Sequence, residues 1–352
     1  MITLKELGAL AGVSISTVSK AINNSTDISL ETRLRIQRLA QENGYVPPRH
    51  ISGAKSGAGP NIAMIYSDVT SNYYTRLIEI FDARIHEMGG FLIMSNASFQ
   101  TARVNELLNY FQSIKSIAGV ILVSALNIFG DLPQPGIPLV GISYPSFETH
   151  PFDYICVNDG VGIDEAVECL VSYGHRRIAF ISEPFTQHRL DFFKTAMTRR
   201  GLPLDPALIR ISQKRFNEAG YEAMKDILAN GEPPTAVFAA YDDIAVGAAQ
   251  AIREKGLAVP DDISLLGVDN TLQTVAYHKI LASVDCHIED QANIALGLLM
   301  KKINERDYSA VQNVSLHTNF IRRNTVGPAR DAAVPAHAGG AQGVLPLAEQ
   351  SL

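Results

Sequence analysis

Between Leu10 and Asn24 the sequence reads LAGVSISTVSKAINN: hydroxyls at Ser14, Ser16, Thr17 and Ser19, one cation at Lys20, then two amides. Short hydroxyls let a helix backbone come close to a polyanion and donate to its phosphate oxygens, while a lysine or asparagine reaches a base edge. Val18, Ala21 and Ile22 are spaced to face a core. That turns Ser16, Ser19, Lys20 and Asn23 outward, with Ile15 at the leading end. Taken alone, such a face equally suits a solvated helix.

A second constellation is carboxylic. Ser67-Asp68 follows IAMIY, Asn158-Asp159 follows YICV, Asp242-Asp243 follows AVFAAY, and Asp269-Asn270 follows ISLLGV. Ligands of open α/β sheets bind beyond the carboxyl ends of the strands. Tyr73 and Tyr74 begin a helix and can stack on a ring, and Arg189 opens another helix after a loop. Carboxylates, an arginine and paired aromatics suit the vicinal hydroxyls of a sugar, and a nucleobase also fits. Any one of these aspartates could simply cap a helix. Their recurrence after several strands points to a site.

Enzyme chemistry finds little support. There is no G-x-S-x-G, no histidine pair at ligand spacing and no Walker pattern. The stretch GAKSGAG has no strand before it, and His175 in YGHRR reads as a turn residue at a helix exit. Cys156, Cys169 and Cys286 form no C-x-x-C pair. No catalytic residue, metal or cofactor is expected.

The elements that must position these groups differ along the chain. Thr3-Leu-Lys-Glu6 is a capping box beside an Ile2–Leu7 staple, and Gly12 can turn the chain into a second helix capped by Ser14. Ser29 can cap a third helix with Ile36, Leu39 and Ala40 inward and Gly44 as its stop. Two helices joined by a short glycine turn, the second carrying a polar reading face, describe a helix-turn-helix. Residues 47–60, PPRHISGAKSGAGP, have linker composition. Continuous apolar runs follow at 62–66, 91–94, 119–123, 138–142, 154–157, 178–181, 208–211, 236–240 and 263–268, alternating with helix-like stretches. Such runs suit parallel strands covered on both faces. The fold class is therefore α/β: an all-α head and two doubly wound parallel-sheet lobes. From Ala329 to Leu352 the Ala/Gly/Pro-rich text predicts a disordered tail.

Bulk properties agree. A length of 352 residues predicts two or three units. The net charge of −6 hides an asymmetry: residues 1–59 carry seven basic and four acidic side chains, a net +3, against −9 for the remainder. A basic head on an acidic body fits a nucleic-acid reader. No run approaches the length of a membrane span, and the charged N-terminus does not read as an export signal. The expected location is the cytoplasm. A transporter's soluble sugar receptor would share the body but has no use for a basic head.

TLKELGALAGVSISTVSKAINN with ISLETRLRIQRLAQENGYVP closely resembles the lactose-repressor/galactose-repressor family of bacterial transcription regulators, and the resemblance runs from Thr3 to about Thr325. It implies base-reading positions at Ile15, Ser16 and Lys20, and phosphate contacts at Thr3, Ser14, Thr17, Ser19, Asn23, Ser29 and Thr32. It also implies a hinge whose minor-groove wedge position falls on Ala54, where alanine has too little bulk to part a base step; either the DNA is kinked less or Ile51 supplies the wedge. The body, with EAVECLVSYGHRRIAFIS and PPTAVFAAYDDIAVGAAQAIREKGLAVPDDISLLGVDN, is similar to the periplasmic-binding-protein fold. Effector contacts are implied at Tyr73, Tyr74, Arg189, Asp242 and Asp269, with Phe216 near an aromatic position and Asp159 in an altered pair, Asn158-Asp159. Tyr241 stands where the family usually has asparagine. The expected organisation is a head (1–46), a hinge (47–60) and a two-lobed body (61–328). Lobe 1 covers about 61–158 and 287–316, lobe 2 about 159–286 and 317–328. The expected function is a homodimeric repressor of a pseudo-palindromic DNA operator, controlled allosterically by a small effector, a sugar before a nucleobase.

Overall fold

The computed structural model describes residues 4–22, 27–43, 59–124, 132, 136–144, 150–271, 274–276, 279–305 and 308–330. Two compact units divide the chain, Met1–Gly57 and Ala58–Leu352.

The first unit holds α1 (Leu4–Ala11), α2 (Ile15–Ile22) and α3 (Leu30–Glu42). Gly12 turns the chain between α1 and α2 with a φ of 67°, a conformation that a side chain would strain. Leu7, Ala11, Val18, Ala21, Ile36 and Ala40 form the small core, with Leu39 packed against it. Two side chains of α3 tie the helices together: Arg35 donates to the Ala11 carbonyl at 3.1 Å and Gln37 to the Ala21 carbonyl at 2.9 Å. Each satisfies a carbonyl that a helix end leaves without an intrahelical donor. Thr3 and Gly44, expected to begin and end this unit's helices, lie outside the described residues.

The second unit contains two parallel sheets. The first is built from β1 (Asn61–Tyr66), α4 (Asn72–Glu87), β2 (Leu92–Asn96), α5 (Thr101–Ser113), β3 (Ile117–Val123), β4 (Leu139–Ser143) and β5 (Asp153–Asn158). The second uses α6 (Gly160–Ser172), β6 (Ile178–Ser182), α7 (Gln187–Arg199), β7 (Ile209–Ile211), α8 (Phe216–Ala229), β8 (Ala236–Ala239), α9 (Asp242–Glu254) and β9 (Ser264–Val268). The chain continues through the hairpin β10 (Thr274–Ala276) and β11 (Lys279–Ile280), then β12 (Ala282–Asp285). It ends with α10 (Ile288–Asn304), β13 (Asn313–His317) and β14 (Asn319–Ile321). Strand orders are β13-β5-β4-β3-β1-β2 and β14-β12-β9-β8-β6-β7. All pairings in the two six-stranded sheets are parallel except β12 with β14.

Burial explains the uninterrupted apolar text. Every residue of β4, β6, β8 and β9 is buried, as helices covering both faces require. Helix α10 packs on α4, β3, β4 and β5, so it belongs to the first lobe although it follows the strands of the second. The chain crosses between lobes at Asp159, at Cys286–His287 and at Thr318, the single residue separating β13 from β14.

Some local expectations need correction. Leu208 closes a 3-10 turn, so β7 starts one residue later than its apolar run, and β10 to β14 were not among the candidate strands. Regular packing also outlasts the expected start of the tail. Ala329 is buried and its N–H donates to the Tyr173 carbonyl at 2.8 Å, while Arg330 pairs with Asp262. Residues 331–352 lie outside the described residues. Cys286 is buried, Cys156 and Cys169 are half-buried, and all three are free thiols. No helix among the described residues is long and apolar enough to cross a membrane.

Candidate functional site

On the head, the expected face is present along α2. Ile15, Ser14, Ser16 and Lys20 are exposed, Thr17 and Ser19 half-buried, and Val18 and Ala21 sit beneath them in the core. Ser14 caps the helix: its Oγ accepts from the Thr17 N–H at 3.1 Å and lies 2.9 Å from the Thr17 hydroxyl. Ser29 and Thr32 repeat the device on α3 at 3.2 and 2.8 Å. These four hydroxyls are thus fixed at helix starts, where backbone N–H groups already favour an anion. Lys20 Nζ rests 3.2 Å from Asp27 Oδ2 in a solvent-exposed pair. Such pairs contribute about 0–1 kcal/mol, so Lys20 can exchange the aspartate for another partner at little cost. Thr3, Asn23, Ile51 and Ala54 lie outside the described residues.

In the body, the carboxyl ends of the two sheets bring Asp159 and Asp269 of the second constellation together on Arg189. Its side chain is 1% exposed. Nε donates to Asp159 Oδ2 at 2.8 Å, Nη1 to the Ala240 carbonyl at 2.5 Å, and Nη2 to Asp269 Oδ1 at 2.9 Å. The rings of Tyr241 and Tyr144 lie 4.9 and 5.4 Å from its centre. His188 adds a contact to Asp159 at 3.2 Å and lies against Tyr144, with ring centres 3.7 Å apart and planes tilted by 31°. Burial would raise the Asp159 carboxyl, but Arg189 and His188 outweigh it and bring it down to about 2. For Asp269 burial wins over the attraction of Arg189 and the carboxyl rises to about 6.

Asp242 begins α9 and is fully buried, yet it caps nothing. Its carboxylate accepts from the Ser283 hydroxyl at 2.6 Å, the Thr271 N–H at 2.7 Å and the Thr271 hydroxyl at 3.0 Å, holding the segment after β9 in place. Burial, then the neighbouring Asp269, raises it to about 7. Space for it comes from Gly267, where a Cβ would stand 2.3 Å from Asp242 Oδ1. Asp159 is the N-cap residue of α6 by position but makes no cap hydrogen bond. The capping alternative fails at both aspartates, because their oxygens point to other elements.

Tyr73 donates to Gln291 Oε1 at 2.6 Å, and Tyr73 and Tyr74 meet edge to face with centroids 5.4 Å apart. Together with Ser124, Ser143 and Tyr144 they enclose a cavity of only about 10 Å³. Phe216 sits at the start of α8 with its ring 5.9 Å from Tyr241. Among the described residues, larger hollows lie apart from these tyrosines. One of about 430 Å³, between Arg176, Arg177, Pro233 and Arg330, is at the amino ends of the second sheet's strands, the wrong end for a ligand of this architecture. The other, about 460 Å³, borders Asp269 and is lined by Arg76, Asp285 and His287.

The sequence missed Tyr144, Glu183, Cys286 and Arg215. Tyr144 and Glu183 follow β4 and β6, so the rule that found the aspartates would have found them. The Cys286 thiol lies 3.6 Å from both Asp159 Oδ1 and Asp269 Oδ1, filling the floor of the site. His175 does stand at a helix exit, but its ring is buried between Thr235 Oγ1 at 3.0 Å and the Gly327 carbonyl at 2.9 Å and serves packing. Among the described residues no group of three or more potential metal ligands converges.

Residues 3–48 match the bacterial regulatory proteins of the lacI family, and residues 167–326 match the periplasmic binding protein-like domain. The HTH-type transcriptional regulator DegA of Bacillus subtilis (strain 168) is 31% identical over 281 residues, covering 77% of this chain and 82% of DegA. A solved transcriptional regulator CelR–cellobiose complex is 26% identical with a TM-score of 0.63, covering 92% of this chain and all of that one. The lac repressor dimer bound to operator shares the fold at 22% identity, with a TM-score of 0.70 over 93% of this chain and 99% of its own.

Proposed function

The chain belongs to the lacI family of bacterial transcription regulators, which are not enzymes, and from that premise we propose how this member works. A cytoplasmic homodimer holds two heads against half-sites of a pseudo-palindromic operator, with Ile15, Ser16 and Lys20 at the bases and the capping hydroxyls at the phosphates. Heads (1–46), hinges (47–60) and two-lobed bodies (61–328) divide the work, and the hinge wedge falls to Ala54 or Ile51. Pairing through the first lobe is supported by the exposed Phe91, Ile93 and Met94 along β2, the outer strand of its sheet.

The effector is a small sugar held between the lobes by Tyr73, Tyr74, Arg189, Phe216, Asp242 and Asp269, with Asp159 orienting Arg189. One observation carries this: a buried arginine fixed between two carboxylates and two tyrosine rings where the carboxyl ends of both sheets meet. Rigid hydrogen-bonding groups beside aromatic faces are the means by which proteins distinguish polyols. The effector shifts DNA affinity by preferring one arrangement of the lobes. A thermal-shift screen of neutral sugars and nucleobases on the full chain tests this, since a ligand of the folded body raises its Tm. A sugar that raises Tm and changes operator affinity supports the reading. A nucleobase alone doing both replaces the sugar, and no effect of any compound on operator binding rejects it.

A further inference from the structure

At the rim of the cleft the two lobes touch through Asp68, Phe99, Phe185 and Arg215, none of them a proposed effector contact, beside Phe216, which is one. Arg215, just before α8 in the second lobe, places Nη2 2.9 Å from Oδ2 of Asp68 in the first. Asp68 is already aimed, because its Oδ1 accepts from the Thr70 N–H at 2.8 Å and the Thr70 hydroxyl at 2.7 Å. Phe99 of the first lobe stacks on Phe185 of the second, ring centres 4.1 Å apart and planes within 8°. The Arg215 guanidinium lies 4.8 and 5.0 Å from those two rings and 4.4 Å from Phe216. A further bridge runs from Asn72 Nδ2 to Asp243 Oδ1 at 2.5 Å.

Behind this rim the tyrosine-lined cavity measures about 10 Å³. That is room for about one water, whereas ligand pockets ordinarily begin near ~300 Å³. Among the described residues, the space beside Tyr73 and Tyr74 is too small for a sugar while the rim is engaged. A sugar that is to contact the two tyrosines needs the lobes to part.

We propose that Arg215 is a latch that holds the lobes shut, and that an effector reaches the site only when Arg215 releases Asp68. The inference rests on the reading of the cleft as an effector site and adds its regulation. Release leaves Arg215 beside Glu183 of its own lobe, a fully buried carboxyl group whose Oε1 lies 3.3 Å from Nη1. The arginine therefore has one partner across the rim and one at home. Asp68 returns to water. The Phe99 and Phe216 backbones, at φ of 57° and 49°, occupy a region that bulky residues rarely adopt, so the closed packing holds both in place.

Hydrogen exchange of the full chain tests the latch without any effector. Arg215→Gln, Asp68→Asn and the double variant are compared with the parent over residues 68–74 and 183–190. Each single change should speed exchange there about tenfold, and the double no further, as expected of two groups in one interaction. Amides of β8 and β9 report whether the fold is intact. If Arg215→Gln loosens them too, Asp68→Asn, which removes only a charge, decides. Unchanged rim exchange in Asp68→Asn, or additive effects in the double variant, overturns the latch. Sugar binding with unchanged rim exchange overturns it alone, while faster rim exchange in a chain that no sugar affects keeps the latch and rejects the effector reading.

Discussion

Arg189 Nη2 and Asp269 Oδ1 meet at 2.9 Å in a place where neither side chain is more than 5% exposed. The arginine holds Asp159 as well, so one cation keeps two buried carboxylates apart from water. Arg189→Met should leave Asp269 uncompensated and Asp159 with only His188, and destabilise the body by about 3–5 kcal/mol. Urea unfolding with an unchanged m-value measures it. A loss below about 1 kcal/mol would mean that water already reaches this pair.

Asp269→Ala should abolish the effector response while the effector-free protein still binds operator. Fluorescence anisotropy with and without the sugar that raises Tm gives both quantities. A variant that responds normally removes Asp269 from the site.

Gly267→Ala adds a methyl group where Asp242 Oδ1 and Cα stand 2.3 and 2.9 Å from the ideal Cβ. Neither β9 nor the start of α9 can yield cheaply, so a loss of about 1–3 kcal/mol is expected from overpacking. Equal thermal stability of variant and parent would show that the carboxylate swings aside.

Between pH 8 and about 6.5 the body should gain stability as the pH falls. Burial raises Glu183, against the pull of Arg215, to about 7; Asp242 is also near 7 and Asp269 near 6. Unfolded carboxyls titrate near ~4, so the folded chain takes up protons that the unfolded chain does not, each worth about 1.4 kcal/mol per pH unit. This contribution is complete below the unfolded value and lost as pH rises through 6 to 7. His175 and His188, both lowered by burial, oppose it increasingly as the pH falls towards 6.5, where unfolded histidines are about half charged, so the net gain is smaller than the carboxyls alone would give. Asp159, near 2, stabilises throughout this window and fails only in stronger acid. Urea midpoints at pH 8, 7 and 6.5 should rise in that order, and Glu183→Gln should flatten the trend. A midpoint that falls towards pH 6.5 contradicts the burial of these carboxyls.

Lys20→Ala should cost about 1–3 kcal/mol at one operator position and relax selectivity there. Anisotropy titrations against single-base operator variants resolve this. An equal loss on every sequence would reduce Lys20 to a phosphate contact.

Much of this architecture is legible in one sequence because buried parallel strands announce themselves as apolar runs and helix starts carry their caps nearby. Ser14 with Thr17, and Ser29 with Thr32, are readable from a spacing of three. The final strands were hidden for the opposite reason: β13 alternates between exposed and half-buried residues at a sheet edge, and β12 spans four residues. Distance along the chain hides the rest. Arg215 and Asp68 are 147 positions apart, and no local pattern pairs them. Likewise nothing near Asp242 says that its partners are Thr271 and Ser283 rather than its own helix.

Thr318 alone separates a strand of one sheet from a strand of the other, and its hydroxyl, 3.2 Å from the Gly162 N–H, anchors it to α6. Anyone wishing to graft a different receptor lobe onto this body would have to cut at 159, 286–287 and 318 together. An added residue at the last junction either displaces the Thr318 anchor or, if one strand slips by a residue to absorb it, turns that strand's side chains to the opposite face of its sheet. Modular exchange with relatives is therefore possible only with all three seams in register.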